Sequence, residues 1–252
     1  MSRQQTGRIL AALILSFPFG LLAETPDEAP VLPATVVTAT RGATPAEQVG
    51  SSVTVITGAQ IEKSQKTDVA DLLRTVPGLD VVRSGGPGQQ VSVFLRGTES
   101  NHVLVLIDGI EATDPSNPTN QFDFAGLAVD DIERIEVVRG PQSTLYGSDA
   151  IGGVIQIFTR RGAGARNRVQ LETGRYGSHA ARGGLHGGDA GLNYGLTFNL
   201  SETDGVSAFP DGDEDDAYDN KTLAAYASAQ PTAASTLDFT LRRVEFDSDI
   251  DA

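Results

Sequence analysis

Residues 139–159 read RGPQSTLYGSDAIGGVIQIFT, and their glycines and prolines fall between two apolar runs at 135–138 and 154–158. Gly140-Pro141 stops the first strand, because proline has no N–H to give to a ladder. Gly152-Gly153 lets the backbone bend, or come close to another segment, before Val154. The expected local structure is strand, tight turn, one or two helical turns, glycine-rich bend and second strand, inside a loop-rich α+β core.

The preceding sequence supplies that core. Residues 52–56 alternate and read as a strand. Thr57 is expected to cap a short helix, with Gln60 completing a capping box and Ile61 as its apolar anchor. Thr67 is expected to cap a second helix, in which Val69, Leu72, Leu73 and Val76 fall at i, i+3, i+4 and i+7 as a packing stripe. Pro77-Gly78 ends it. A strand over 79–82 leads into SGGPGQQ at 84–90, a loop too glycine-rich to pack on its own. Val91, Val93 and Leu95 alternate into Arg96-Gly97. The almost wholly apolar run at 103–107 is expected to be a central strand, covered on both faces. A loop rich in proline, asparagine and aspartate spans 111–121, and Asp130-Asp131 are expected to start a short helical turn before the run at 135–138.

At the N-terminus, Arg3 and Arg8 precede an apolar run over 9–22, and Ala23 ends it before Glu24. This is the layout of a secretory signal peptide at 1–23, since the run is short of the roughly 20 residues a membrane helix needs and contains a proline. Elsewhere no run is long and apolar enough for a membrane helix, so a membrane role requires β-strands. Cleavage removes two arginines and no acids, which moves the formal charge from −14 to −16. Such an acidic balance excludes nucleic acid as a partner. The chain has no cysteine, which excludes disulfides and Cys-based metal or redox sites, and no redox cofactor is expected.

Residues 24–33, with three prolines and three acids, read as an unfolded leader. Within 24–50 sits a β-prone patch, Thr35-Val36-Val37-Thr38-Ala39. It reads either as an edge strand or as a free extended segment that a partner captures by strand addition.

Beyond Arg161 the texture changes. Segments at 168–173, 179–186, 192–202, 222–229 and 236–246 alternate polar with apolar between glycine-rich turns. Both a soluble β-sheet domain and outer-membrane barrel strands fit that pattern. Between 202 and 219 lies a run of acids that includes Asp211, Asp213 and Asp215. Alternate carboxylates suit calcium, which takes six to eight oxygen ligands, although EF-hand spacing is absent and a solvated acidic loop fits as well. No enzyme constellation stands out. His102, His179 and His186 lack metal-ligand spacing, no G-x-S-x-G elbow occurs, and no Lys-Ser/Thr pair follows the glycines at 85–88.

The signatures VSVFLRG, HVLVLIDG and IERIEVVRGP, together with RGPQSTLYGSDAIGGVIQI, resemble the plug domain of TonB-dependent outer-membrane receptors over residues 35–161. The resemblance implies an α+β plug at 51–161, followed at 162–252 by the first antiparallel strands of a transmembrane β-barrel. Five strands do not enclose a plug, since such transporters have about 22, so the chain is expected to be an N-terminal fragment in contact with outer-membrane lipid. The patch at 35–39 resembles the Ton box pulled on by TonB. Residues 84–110 and 146–157 are most similar to the vitamin B12 (cobalamin) receptors of that family. This implies uptake of a corrinoid, with a ferric-siderophore receptor, importing an iron chelate, or a non-transporting binding protein as alternatives. Carried onto this sequence, the substrate-facing plug residues are Ser84, Gln89, Gln90, Ser92, Asn117 and Asn120. Arg96 and Arg139 are the plug arginines that pair with barrel glutamates, and Asp247 joins Asp211, Asp213 and Asp215 as a calcium ligand.

Overall fold

The structure, a computed structural model, describes residues 35–161, 167–189, 191–207 and 215–249. The expected signal peptide and leader lie outside them, as do Asp211 and Asp213.

The chain enters through two short antiparallel strands, β1 (Thr35–Val36) and β2 (Thr44–Pro45). β3 (Ser52–Thr57) then runs straight into α1 (Gly58–Ser64). The turn is abrupt because Thr57 and Gln60 form the reciprocal capping box, and Ile61 is buried beneath it. α2 (Val69–Leu73) is capped by Asp68, whose carboxylate accepts from Asp71 N, and not by Thr67 as the sequence suggests. The Thr67 carbonyl accepts from Val129 N and the Leu127 carbonyl from Val69 N, so the backbone stays extended through 68 before it coils. The expected stripe is buried throughout.

β4 (Leu79–Arg83) and β5 (Val91–Leu95) form a separate hairpin. β6 (Val103–Ile107), β7 (Ile110–Glu111), β8 (Ile132–Arg139) and β9 (Gly153–Thr159) join β3 in one sheet, in the order β3-β8-β9-β6-β7. Between β8 and β9 lie a four-residue helix, α3 (Ser143–Tyr146), and a 3-10 turn over Ser148–Ala150, as the decisive stretch suggests. Two expectations need correction. β6 is covered on both faces but stands next to the two-residue β7, not at the centre, because its second cover comes from Ala150 and Tyr146 and not from its place in the sheet. Asp130-Asp131 form a non-helical turn, since residues 128–129 bridge back to 67–68.

One face of this sheet, with Ile135, Val137, Ile155 and Ile157, packs on α1, α2 and the β4–β5 hairpin to make the main core. The opposite face carries Leu104 and Val154 under Ala150, and Val138 under Val36 and Ala39.

A second, open antiparallel sheet follows in strict chain order: β10 (Arg168–Thr173), β11 (His179–Gly188), β12 (Leu192–Thr203), β13 (Tyr218–Thr232) and β14 (Ser235–Ser248). These are the five alternating segments, some longer than the sequence marks. Period-two geometry sorts their side chains onto two faces. Outward, Val169, Leu171, Leu237 and Phe239 are 60–78% exposed, an apolar band with nothing over it among the described residues. The inward side is polar and meets the plug. Such a wall, apolar outside and polar within, is the pattern of outer-membrane barrel strands. Three residues separate β11 from β12 and two separate β13 from β14, whereas fourteen separate β12 from β13. Short turns face the periplasm in such barrels and long loops face outward, which orients the wall.

Candidate functional site

Three parts converge on function: the segment 35–39, the two outward plug loops and the seam between plug and wall.

The segment is docked, not free. Val36 and Thr38 are fully buried and Ala39 nearly so. The cause is Glu136, a fully buried glutamate that shares its face of β8 with Arg134 and the buried Val138. A carboxylate taken out of water needs partners. Glu136 Oε2 accepts from Val37 N at 2.9 Å, Thr38 N at 2.9 Å and Thr38 Oγ1 at 2.7 Å, while Arg134 Nε reaches Oε1 at 3.0 Å. Gln156 Oε1 lies 3.0 Å from the same Thr38 hydroxyl, and Tyr146 Oη donates to the Thr38 carbonyl at 2.8 Å. Arg41 stacks over the Tyr146 ring at 4.6 Å. Of the two sequence readings, the free extended segment is the one corrected: Thr35–Val36 pair with Thr44–Pro45, and strand addition at 35–39 requires leaving Glu136. Glu136 was missed in the sequence, where its signal is a single acid inside the run IEVV.

The substrate-loop candidates fall into two groups. Ser84, Gln89 and Gln90 lie on the loop that closes the β4–β5 hairpin, where Ser84 N donates to the Gln90 carbonyl at 3.0 Å. The tip is pressed on the wall at its outward end: a Cβ on Gly88, which has φ 79°, would sit 2.4 Å from the Tyr218 ring. Ser92 accepts from Gln121 Nε2 at 3.4 Å, and Gln121 also binds Ser100, which ties the hairpin to the second loop. In that loop the Asn117 Oδ1 is used locally, accepting from Thr119 N and Oγ1, and Asn120 takes a left-handed conformation at φ 54°. The hydrogen bonds shown thus leave Gln89 and Gln90 as the freer side chains.

Arg96 and Arg139 are neighbours. Arg139 donates to Ser52 Oγ and to the Pro77 carbonyl, at 2.8 Å. Partial burial and the Arg96 charge both lower its affinity for its proton. Neither arginine forms an ion pair among the described residues, so two like charges stand together. Asp247 lies directly across the ladder from Asp219, whose carboxylate pairs with Lys221 at 3.0 Å, and Asp215 is exposed. Among the described residues no three acids or histidines converge as metal ligands.

The seam is held by ionic and close-packed contacts. Arg242 of β14 pairs with Asp131 of the plug, and Arg161 binds both Asp108 at 2.9 Å and Thr240 at 3.2 Å. Burial drives the Asp131 carboxyl up despite Arg242. Asn220 donates to the Gly126 carbonyl at 3.1 Å, and a Cβ on Gly126 would lie 2.6 Å from the Phe246 ring. On β11, Arg182 Nε stands 3.6 Å from Asp130 Oδ2, while the same guanidinium bonds Glu172. Burial raises the Asp130 carboxyl to about 6, with Arg182 opposing.

A plug seated against a polar-inside, apolar-outside wall defines the class: a bacterial outer-membrane protein of the plugged-barrel kind. Residues 45–154 match the TonB-dependent receptor plug domain, and an open antiparallel sheet follows the matched region. Among solved structures, it is similar to a mutant of the ferric enterobactin receptor of Pseudomonas aeruginosa, at 24% identity and a TM-score of 0.64, over 85% of this chain and 35% of that one. The ferric yersiniabactin uptake receptor of Yersinia pestis matches at 23% identity and a TM-score of 0.61, over 78% of this chain and 32% of that one. A siderophore receptor of Acinetobacter baumannii matches at 23% and 0.59, over 78% and 32%. The chain thus spans about a third of the length of the receptors it resembles.

Proposed function

We propose that the receptor containing this chain imports a scarce nutrient across the outer membrane, with the plug closing the lumen until TonB captures residues 35–39 and pulls. The plug match at 45–154, lying directly after a β-prone segment, carries this reading. The favoured substrate is an iron chelate, because the similar solved proteins are receptors for ferric enterobactin and ferric yersiniabactin. A corrinoid is the second reading, motivated by the likeness of residues 84–110 and 146–157 to cobalamin receptors. In either case Ser84, Gln89, Gln90, Ser92, Asn117 and Asn120 meet the substrate from the plug. Arg96 and Arg139 then find their anions in glutamates of the barrel, and lipid covers the band around Leu171 and Phe239.

The test is accumulation of radioactive iron chelates and of cyanocobalamin by cells that express the receptor and lack others of its kind, with and without a calcium chelator. Energy-dependent accumulation of an iron chelate is expected. Accumulation of cobalamin alone overturns the iron reading, and accumulation of neither overturns transport. Loss of binding on calcium removal supports a cation in the loop that carries Asp211, Asp213 and Asp215.

A further inference from the structure

The plug grips its wall unevenly. Along β13 and β14 the contact is close, with Gly126 under Phe246 and Gly88 under Tyr218. Along β10 and β11 it is open. There the inward side chains are polar or very small, among them Gln170 and Glu172 on β10 and Ala180 and Gly184 on β11, so among the described residues no large apolar side chain of these two strands enters the gap.

Two cavities occupy it, of about 450 Å³ and 340 Å³. The larger extends past Gly174 and Ser178 to Glu202, and its far rim reaches Tyr218 and Asn220 of β13 beside Gly88 and Gly126. The smaller extends past Gln170 to Arg168 and His186. Both are lined by Thr67, Glu172 and Arg182, so they meet end to end at one waist. Together they follow β10 over its full length, about 20 Å at 3.3 Å per residue.

Arg182 is the side chain that crosses the waist. Its guanidinium bonds Glu172 on the wall and faces Asp130 on the plug, with Nε and Oδ2 3.6 Å apart. That is too long for a direct hydrogen bond, and among the described residues neither atom has a hydrogen-bond partner. A gap of this kind, between two buried polar atoms, suits a bridging water.

We propose that this slit is a conduit for water and small hydrophilic ions between plug and wall, and that Arg182 is its gate, held shut by Asp130 and Glu172. The plug keeps its grip on β13 and β14 while the slit along β10 and β11 opens. The proposal rests on the reading of the chain as a plugged outer-membrane receptor, but it needs neither TonB nor a cognate nutrient.

The test is ion conductance of the purified receptor in planar lipid bilayers. Arg182→Ala is expected to raise the mean conductance on the order of tenfold, since one side chain spans the constriction, and Arg182→Lys to stay closed. Arg243→Ala, whose exposed side chain pairs only with Glu245 of the same strand among the described residues, is expected to match the parent. If Arg182→Ala does not insert, Asp130→Asn keeps the test decisive, because it removes the charge that holds the guanidinium and should raise conductance as well. Parental conductance in an inserted Arg182→Ala or Asp130→Asn receptor overturns the proposal. So does an Arg243→Ala receptor as leaky as Arg182→Ala, because the leak then does not depend on the slit. A closed Arg182→Ala receptor leaves nutrient transport untouched, whereas failed uptake with an open Arg182→Ala slit overturns transport alone.

Discussion

Replacing Gly153 with alanine is expected to unfold the plug. The residue sits at the start of β9 with φ 152°, and an added Cβ would lie 2.2 Å from the Val138 carbonyl oxygen and 2.3 Å from Leu95 Cδ2. The first neighbour is backbone in the middle of the sheet, where Val138 pairs with Val154, and it cannot step aside without breaking the ladder. The second is a fully buried core side chain. Backbone strain together with a forced clash costs about 3 kcal/mol or more, a large share of the roughly 5–15 kcal/mol that keeps a domain folded. Limited proteolysis of the receptor in its membrane is the measurement: cleavage within 51–161 should rise sharply for Gly153→Ala. Gly86→Ala is the comparison, because nothing lies within 4 Å of its Cβ position and its φ is ordinary, so it should resist protease as the parent does.

The second large effect is at Glu136. Glu136→Ala deprives Val37 N, Thr38 N and Thr38 Oγ1 of one shared anion. Hydrogen bonds to a charged acceptor contribute about 1.5–3 kcal/mol each, net of the water bonds they replace. Even a net loss of about 3 kcal/mol shifts docked against released segment on the order of a hundredfold. The chain has no cysteine, so Ala39→Cys gives a unique thiol within it, buried when the segment is docked. Maleimide labelling of that thiol is expected to be slow in the parent and fast after Glu136→Ala. Thr38→Val removes only the hydroxyl and should fall between them. Equal labelling in all three means that Glu136 does not hold the segment.

These two sites mark what the sequence reveals and what it hides. The strand, turn and glycine bend around 139–159 are legible because proline and paired glycines act locally, and the Thr57 box is legible for the same reason. The five wall strands are found from alternation alone, since period two survives even weak hydrophobicity. The Asp68 cap was misplaced by one residue because its position depends on pairing with residues 127–129, some sixty positions away, which no local pattern records. The docking of 35–39 was hidden for a related reason. A β-prone segment carries no mark of whether its partner is another protein or, as here, a glutamate about a hundred residues on in its own plug. The same holds for Asp130 and Asp131, which read as a helix start and serve as anchors for wall arginines.

The sharpest test of the whole account is uptake by the receptor carrying Val37→Pro. Proline removes the backbone N–H that bonds Glu136 and blocks strand pairing at the centre of 35–39. The account predicts that the variant reaches the outer membrane and binds its substrate as the parent does, yet accumulates none of it inside energised cells. Undiminished accumulation by that variant, or parental uptake that persists in cells lacking TonB, would contradict it.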